Sequence, residues 1–203
     1  MQNRQVVFSE LSPLAVPNSM RLSVVDAIHA IHAAFDIWPA FSEQMTEARE
    51  FAAALIGGEI VTAQTLDWVH ERTGAAVFLA REEGRLTGVW AAVLLSEAGV
   101  LACHADRFNA LDPDARHVAA APERPAGLYI WGVAGSTRRS AARVVAAHEA
   151  VVQATDHVPR FARPMTEAGR RLAARRNHFT PVHGSTSGLV WIGARGFQPG
   201  VAA

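Results

Sequence analysis

The stretch GLYIWGVAGSTRRSAARVVAAHEAVVQAT, residues 127–155, changes its periodicity half-way. GLYIWGVAG is apolar and ends in Gly135, which predicts a strand. From Ser136 or Thr137 a helix is predicted to about Thr155. Val144, Val145, His148, Val151 and Val152 fall on one helical face. Between the two lies a turn of small and basic residues. The first turn of a helix carries N–H groups without intrahelical partners, and the dipole adds partial positive charge there. Ser140, Ala141 and Ala142 are small enough to let a phosphate approach, and Arg138, Arg139 and Arg143 add charge. The alternative is an ordinary capped helix with solvated arginines.

Upstream, residues 4–9 predict a strand. Ser19 is placed to cap a helix that runs to about Trp38 and ends at Pro39. Helices are predicted at about 43–56 and 62–72, stopping at Gly57 and Gly74. AAVFLAR (75–81) and LTGVWAAVLLS (86–96) form a hairpin across residues 82–85, and VLACHA (100–105) predicts a further short strand. Residues 106–126 contain three prolines and predict a long loop, a feature often tied to function. Downstream, RFARP is a short strand, and Thr166 caps a helix with Glu167 in its first turn. FTPVH and GLVWIGA close the chain as a hairpin across residues 184–187. Hairpins interleaved with crossover helices imply an α/β or α+β domain with a mixed sheet.

Composition bounds the function. The chain has 203 residues, half of them apolar and 19% charged, which fits one globular domain and excludes a disordered chain. Cys103 is the single cysteine, so a disulfide framework and a four-cysteine zinc site are excluded. No apolar run is long enough for a bilayer span, and MQNRQVVFSELSP lacks a signal-peptide core. A cytoplasmic protein without membrane contact is expected. The net charge of zero conceals an asymmetry. Residues 1–123 carry 8 Arg against 16 acidic residues, a net −8, and residues 124–203 carry 11 Arg against 3, a net +8. All 19 cationic residues are arginine. With no lysine, Schiff-base catalysis and a Walker A loop are excluded.

From about residue 75 to the end, the chain resembles the GNAT superfamily, the acyl-CoA N-acyltransferase fold. The resemblance is carried by AAVFLAREEGRLTGVWAAVLL, YIWGVAGSTRRSAARVVAA, PRFARPMTEAGRRLAARRNHFTPV and GLVWIG, about two-thirds of the chain. It implies a single domain over residues 1–203 with a mixed, mostly antiparallel sheet flanked by helices. Residues 1–74 would form the acceptor side and 75–203 the hairpin and CoA-binding half. The family's Gln/Arg-x-x-Gly-x-Gly/Ala signature aligns with Thr137, Ser140 and Ala142. The resemblance implies acetyl-CoA or another acyl-CoA as co-substrate, and no metal. Backbone near Val133 would hold the pantetheine arm. N–H groups around Arg138, Arg139, Ser140, Ala141, Ala142 and Arg143 would hold the pyrophosphate. It implies N-acyl transfer to a small-molecule or peptide amine, and leaves a homodimer open. Many members carry a general-acid tyrosine five residues before a Gly-Phe. Here His178-Phe179 stands at that pair, Ala174 at the tyrosine position, and Tyr129 is the only tyrosine. The alternative is a GNAT-like domain that binds CoA, another anion or a partner protein without transfer.

Other candidates compete with structural roles. His104, beside Asp106, could take a proton from an amine, since imidazole titrates near pH ~6.5. The competing reading is a surface histidine. Cys103 reads as a small buried residue rather than a nucleophile. His29 and His32 share a helix face but have no third metal ligand in sequence. His148 reads as a core or interface histidine with a polar partner. Gly184–Gly188 is not a serine-hydrolase elbow, because its middle residue is Thr186. Arg170, Arg171, Arg175 and Arg176 cluster on one helix, yet no nucleic-acid-binding motif accompanies them, and a nucleic-acid partner is not expected. Trp90, Trp131 and Trp191 are expected in the core, and the Ile37–Phe41 segment beside the acceptor side or simply packed.

Overall fold

A computed structural model describes residues 23–57, 59–121 and 123–194. The strand expected at residues 4–9 and the Ser19 cap lie outside the described residues. Within them, the first helix α1 (Val24–Ala34) is capped by Ser23, whose hydroxyl accepts from Asp26 N. The helix ends before Asp36, at φ 53°, and Ile37–Pro39 forms a short strand, β1, where the sequence predicted continued helix. An edge strand tolerates Pro39 because its missing N–H faces away from the ladder. α2 (Met45–Ile56) and α3 (Ala63–Thr73) follow, the second bounded by a Thr62 cap and a left-handed Gly74. The hairpin is β2 (Val77–Glu82) and β3 (Arg85–Leu95).

The strand expected at 100–105 is a helix, α4 (Glu97–His104). Ser96 accepts from Gly99 N, and Glu97 lies in the favoured first turn. The apolar residues of VLACHA meet the core from one side of that helix, which an isolated apolar run cannot reveal. β4 (Gly127–Gly135), α5 (Arg138–Ala154), β5 (Arg160–Ala162), α6 (Glu167–Arg171), a π-helical turn (Leu172–Arg176), β6 (Thr180–Pro181) and β7 (Val190–Ile192) complete the order.

The seven strands form one sheet in the order β1-β2-β3-β4-β5-β7-β6. Every neighbouring pair is antiparallel except β4 and β5. The expected α/β domain with a mixed, mostly antiparallel sheet is therefore what forms. Trp90, Ala92 and Leu94 of β3 pack with α1 and α5, while Val89, Ala91 and Val93 pack with α2, α3 and α4. A strand covered on both faces explains its nearly continuous apolar run. Arg160, buried at the start of β5, donates to the carbonyls of Val152 and Thr155 at the end of α5 and to Gly193 beyond β7. A cation there opposes the negative end of the helix dipole.

The end of β4 and the start of α5 are in close contact. A Cβ on Gly135 would overlap Ala141 N and Cα and lie 2.9 Å from the Ser140 carbonyl carbon. Gly135→Ala is therefore expected to push the first turn of α5 off the strand and to lower stability by about 1–3 kcal/mol. Denaturant unfolding of the variant checks this, and wild-type stability would contradict the contact.

Candidate functional site

The site is built by a ladder that stops early. β4 and β5 pair over only three positions, Leu128↔Arg160, Tyr129↔Phe161 and Ile130↔Ala162. On its other side β4 bonds β3, with a register shift that pairs Ala91 with Gly132 and Ala92 with Ile130. Trp131 is the extra residue of this bulge. Bulges raise local twist and re-aim a strand. On β5 the chain passes through Arg163 into Pro164, which has no N–H to continue the ladder. The two strands separate, and among the described residues no strand lies beside β4 from Trp131 to Gly135 on this edge.

A trough fills the gap. Its outer part, about 550 Å³, lies between β4 (Val133–Gly135), α5 (Ala141, Val145) and the segment of α6 and the π turn (Thr166–Arg176). Its middle, about 100 Å³, runs between Gly132 and Val133 of β4 and Ala162–Thr166. Its inner part, about 190 Å³, opens under α2 and the loop at Ala110 and Leu111. Shared walls join the parts, Val133 and Thr166 linking outer to middle and Trp131 and Arg163 linking middle to inner. Trp131 is fixed by its indole N–H, which donates to Ala110 O at 2.7 Å.

At the outer end Thr137 caps α5. Ser140 N donates to Thr137 Oγ1 at 3.0 Å, and Thr137 N to Ser140 Oγ at 3.1 Å. Ala141 N donates to Thr137 O. The N–H groups of Arg138 and Arg139 are left without an acceptor among the described residues. Of the residues expected at this site, Val133 and Ala141 line the trough. Arg138 and Arg139 stand exposed at the helix start, and Ala142 is exposed beside them. Ser140 is buried and occupied by the cap. Arg143 turns away, with Nη1 3.3 Å from Asp36 and Nη2 donating to Arg81 O. Its charge is used to hold α5 against the turn after α1.

The charge that does face the trough comes from the other wall. Arg171 and Arg175, one helical turn apart, line its outer part and make no ion pair among the described residues. Arg176, also on that wall, is paired with Glu149 at 2.9 Å. The net +8 of residues 124–203 signalled such a wall in the sequence without saying which element carried it.

His104, expected beside the acceptor, lies elsewhere. It ends α4 with its ring edge-on to Phe161 and Trp191, at 5.0 and 4.8 Å, and it lines none of the three parts of the trough. Asp106 accepts from Thr186 N, Ser187 N and Ser187 Oγ, and so clamps the 184–188 hairpin loop. These bonds hold its carboxyl below the usual range, Ser187 Oγ contributing most. Cys103 is buried, which pushes its thiol up to about 12 and keeps it protonated. His29 bonds Gly74 O and His32 bonds Ile28 O, and no group of three metal-ligating side chains occurs among the described residues. Ala174, at the family's tyrosine position, is exposed. Tyr129 lines the inner part, and burial pushes its phenol up to about 12, so it is a neutral O–H at neutral pH.

His148 lines the trough from within the core, which the helical stripe concealed, since the same position serves both. Trp90 Nε1 donates to its Nδ1 at 3.4 Å, which places the proton on Nε2. The ring borders the middle of the trough. Sequence gave the expectation of a polar partner but not the cavity beside it.

No family model matches the chain, and no curated protein matches it. Several solved structures are similar to it. One is GphF, a GNAT-like decarboxylase in complex with isobutyryl-CoA, at 12% identity and a TM-score of 0.48, covering 78% of this chain and 99% of that one. Another is an N-acetyltransferase from Staphylococcus aureus Mu50, at 11% identity and a TM-score of 0.46, covering 77% and 99%. At these identities and scores neither assigns an activity. The sheet is mixed and mostly antiparallel, and a strand–turn–helix follows at β4, as the sequence resemblance implies. No helix among the described residues is long and apolar enough to cross a membrane.

The buried histidines set a pH dependence. Burial lowers both His32 and His148 from 6.5 to about 4. Above pH ~6.5 both rings are neutral folded and unfolded, and their stability contribution is fully present. As pH falls from about 6.5 to about 4, the unfolded chain binds protons that the folded chain does not. Stability is then lost in that window, by about 3 kcal/mol for each ring across all of it. Denaturant unfolding at pH 7.5, 6 and 5 should show the decline, and NMR titration of the His148 ring should show no protonation down to pH 5. A ring midpoint near 6.5 would contradict this account.

Proposed function

We propose that this protein transfers an acyl group from an acyl-coenzyme A to an amine. The observation that carries the reading is the trough along β4, open where β5 departs and lined at its outer end by Gly135 and Ala141, which flank the start of α5, and by Arg171 and Arg175, which make no ion pair among the described residues. An extended arm with amide groups fits a strand edge that lacks its neighbour, because each finds complementary donors and acceptors. A pyrophosphate at the outer end would meet Arg138 and Arg139 N–H and the side chains of Arg171 and Arg175. These residues bind and orient the co-substrate.

The acceptor amine would occupy the inner part, on the α2 side, as its attachment to the same trough allows. Its nitrogen adds to the thioester carbonyl carbon, the C–S bond breaks, and the thiol takes up one proton while the amine loses one. Holding both reactants in one trough supplies the proximity term. His148, a neutral ring that lines the middle of the trough, would be the donor to the arm or to the departing sulfur. The amine proton is assigned to water rather than to His104.

A second reading, binding of acyl-CoA without transfer, is favoured by Ala174, which removes the family's tyrosine. Calorimetric titration with acetyl-CoA and free CoA tests what the two readings share. Micromolar binding, about −8 kcal/mol, is expected, and failure of a folded protein to bind either would overturn both. Thiol release across a panel of amines then separates them, since binding without release supports the second.

The phosphate end has its own test. Thr137 is extended, so a proline is tolerated after it, and proline suits the first helical position. Arg138→Pro removes one N–H, while Arg138→Gln removes only the side-chain charge. Loss of a hydrogen bond to a charged group is worth about 1.5–3 kcal/mol. Arg138→Pro is therefore expected to bind CoA at least tenfold more weakly than Arg138→Gln at unchanged thermal stability. Equal affinities would remove the pyrophosphate from this turn.

A further inference from the structure

The inner part of the trough is about 190 Å³ and mostly apolar, yet two arginines are among its lining residues. Arg49 enters from α2 and makes no ion pair among the described residues. Arg163 enters from the end of β5. Its Nε is buried without a hydrogen-bond partner. Its nearest carboxylate, Asp106, is 3.9 Å away, beyond hydrogen-bond distance, and is already engaged by three donors from the 184–188 loop. The acidic residue of the lining, Glu59, is exposed at the rim.

The buried Nε of Arg163 has no acceptor, and the half-buried guanidinium groups beside an apolar wall offer donors that a carboxylate can meet. The planar fork of a guanidinium matches a carboxylate. A cavity of about 190 Å³ admits a short branched chain.

We propose that the inner cavity is a subsite for a small carboxylate with a short apolar body. Its role as a substrate site rests on the acyl-CoA reading above. Arg163 and Arg49 hold the carboxylate, and Leu66, Val89 and Ala91 contact the apolar body. The carboxylate has two sources. It belongs either to the acceptor, then an apolar amino acid, or to the distal end of a dicarboxylic acyl group.

Trp131 lines the cavity, so its fluorescence reports occupancy. The full chain is titrated without CoA with 4-methylpentanoate, leucine and 3-methylbutylamine, and calorimetrically with butyryl-CoA and succinyl-CoA. If the acceptor supplies the carboxylate, 4-methylpentanoate and leucine bind at least tenfold more tightly than the amine. If the acyl group supplies it, succinyl-CoA binds at least tenfold more tightly than butyryl-CoA. In either case Arg163→Gln brings the favoured ratio toward one and Arg163→Lys keeps part of it. Arg49→Gln, on a helix surface, repeats the test should the Arg163 variant fail to fold.

Equal binding of carboxylate and amine together with equal binding of the two acyl-CoAs overturns the proposal. Ratios unmoved by both arginine substitutions overturn it as well. Carboxylate binding with no binding of any CoA overturns the acyl-CoA reading and the substrate role with it, while the carboxylate preference of the cavity stands.

Discussion

The parallel pairing of β4 with β5 ends after Ile130 and Ala162, and the rest of the site follows from that interruption. A sheet normally satisfies its backbone groups by continuing the ladder. Here a bulge at Trp131 and a proline at position 164 prevent it from both sides. The opened edge is not collapsed onto itself because each wall is fixed independently. α5 is held to the sheet by Val144, Ala147 and Val151 in the core, by Gly135 against its first turn, and by Arg160 at its far end. Trp131 is held by the Ala110 carbonyl.

Two kinds of arginine emerge from this arrangement. Arg143 and Arg160 are structural. One ties α5 to Asp36 and the Arg81 carbonyl, and the other gathers carbonyls from the end of α5 and from Gly193. Arg163, Arg171 and Arg175 instead border open volume and lack close carboxylate partners. The distinction is electrostatic. A guanidinium that has met its acceptors holds the fold, and one that has not keeps its donors open to water or an anion. The histidines divide in the same way. His32 is stacked on Phe78 in the core, whereas His148 joins the core through Trp90 and borders the trough on its other side.

The long loop after α4 also acquires a role. Arg72 Nε donates to Val118 O, and Ala121 N donates to Arg72 O, so the loop is pinned across α3. That fixation places Ala110 and Leu111 as a wall of the inner cavity. Asp106 pins its beginning to the closing hairpin. The proline-rich composition of this loop announced irregular backbone, and its attachments make it a wall.

Local sequence was enough for most elements. Thr137 and Thr166 each cap the helix they were expected to cap, because a side-chain oxygen two or three residues from a free N–H needs no tertiary help. The hairpin of β2 and β3, the strand–turn–helix at residues 127–155 and the closing hairpin were legible for the same reason. Local sequence failed at residues 100–105 and 37–39, where short apolar runs suit helix and strand equally and the neighbouring strand or core decides. It marked the turn before α5 as a candidate for phosphate, beside the reading of an ordinary capped helix. It could not show that Ser140 is consumed by its own cap, that Arg143 is turned toward Asp36, or that His104 lies off the trough. Nor could it bring Arg49, Trp131 and Arg163 to one cavity, since they come from three elements distant in sequence. Capping and periodicity are written within a few residues of chain. The trough exists only where two strands part, and that separation is a property of the folded sheet.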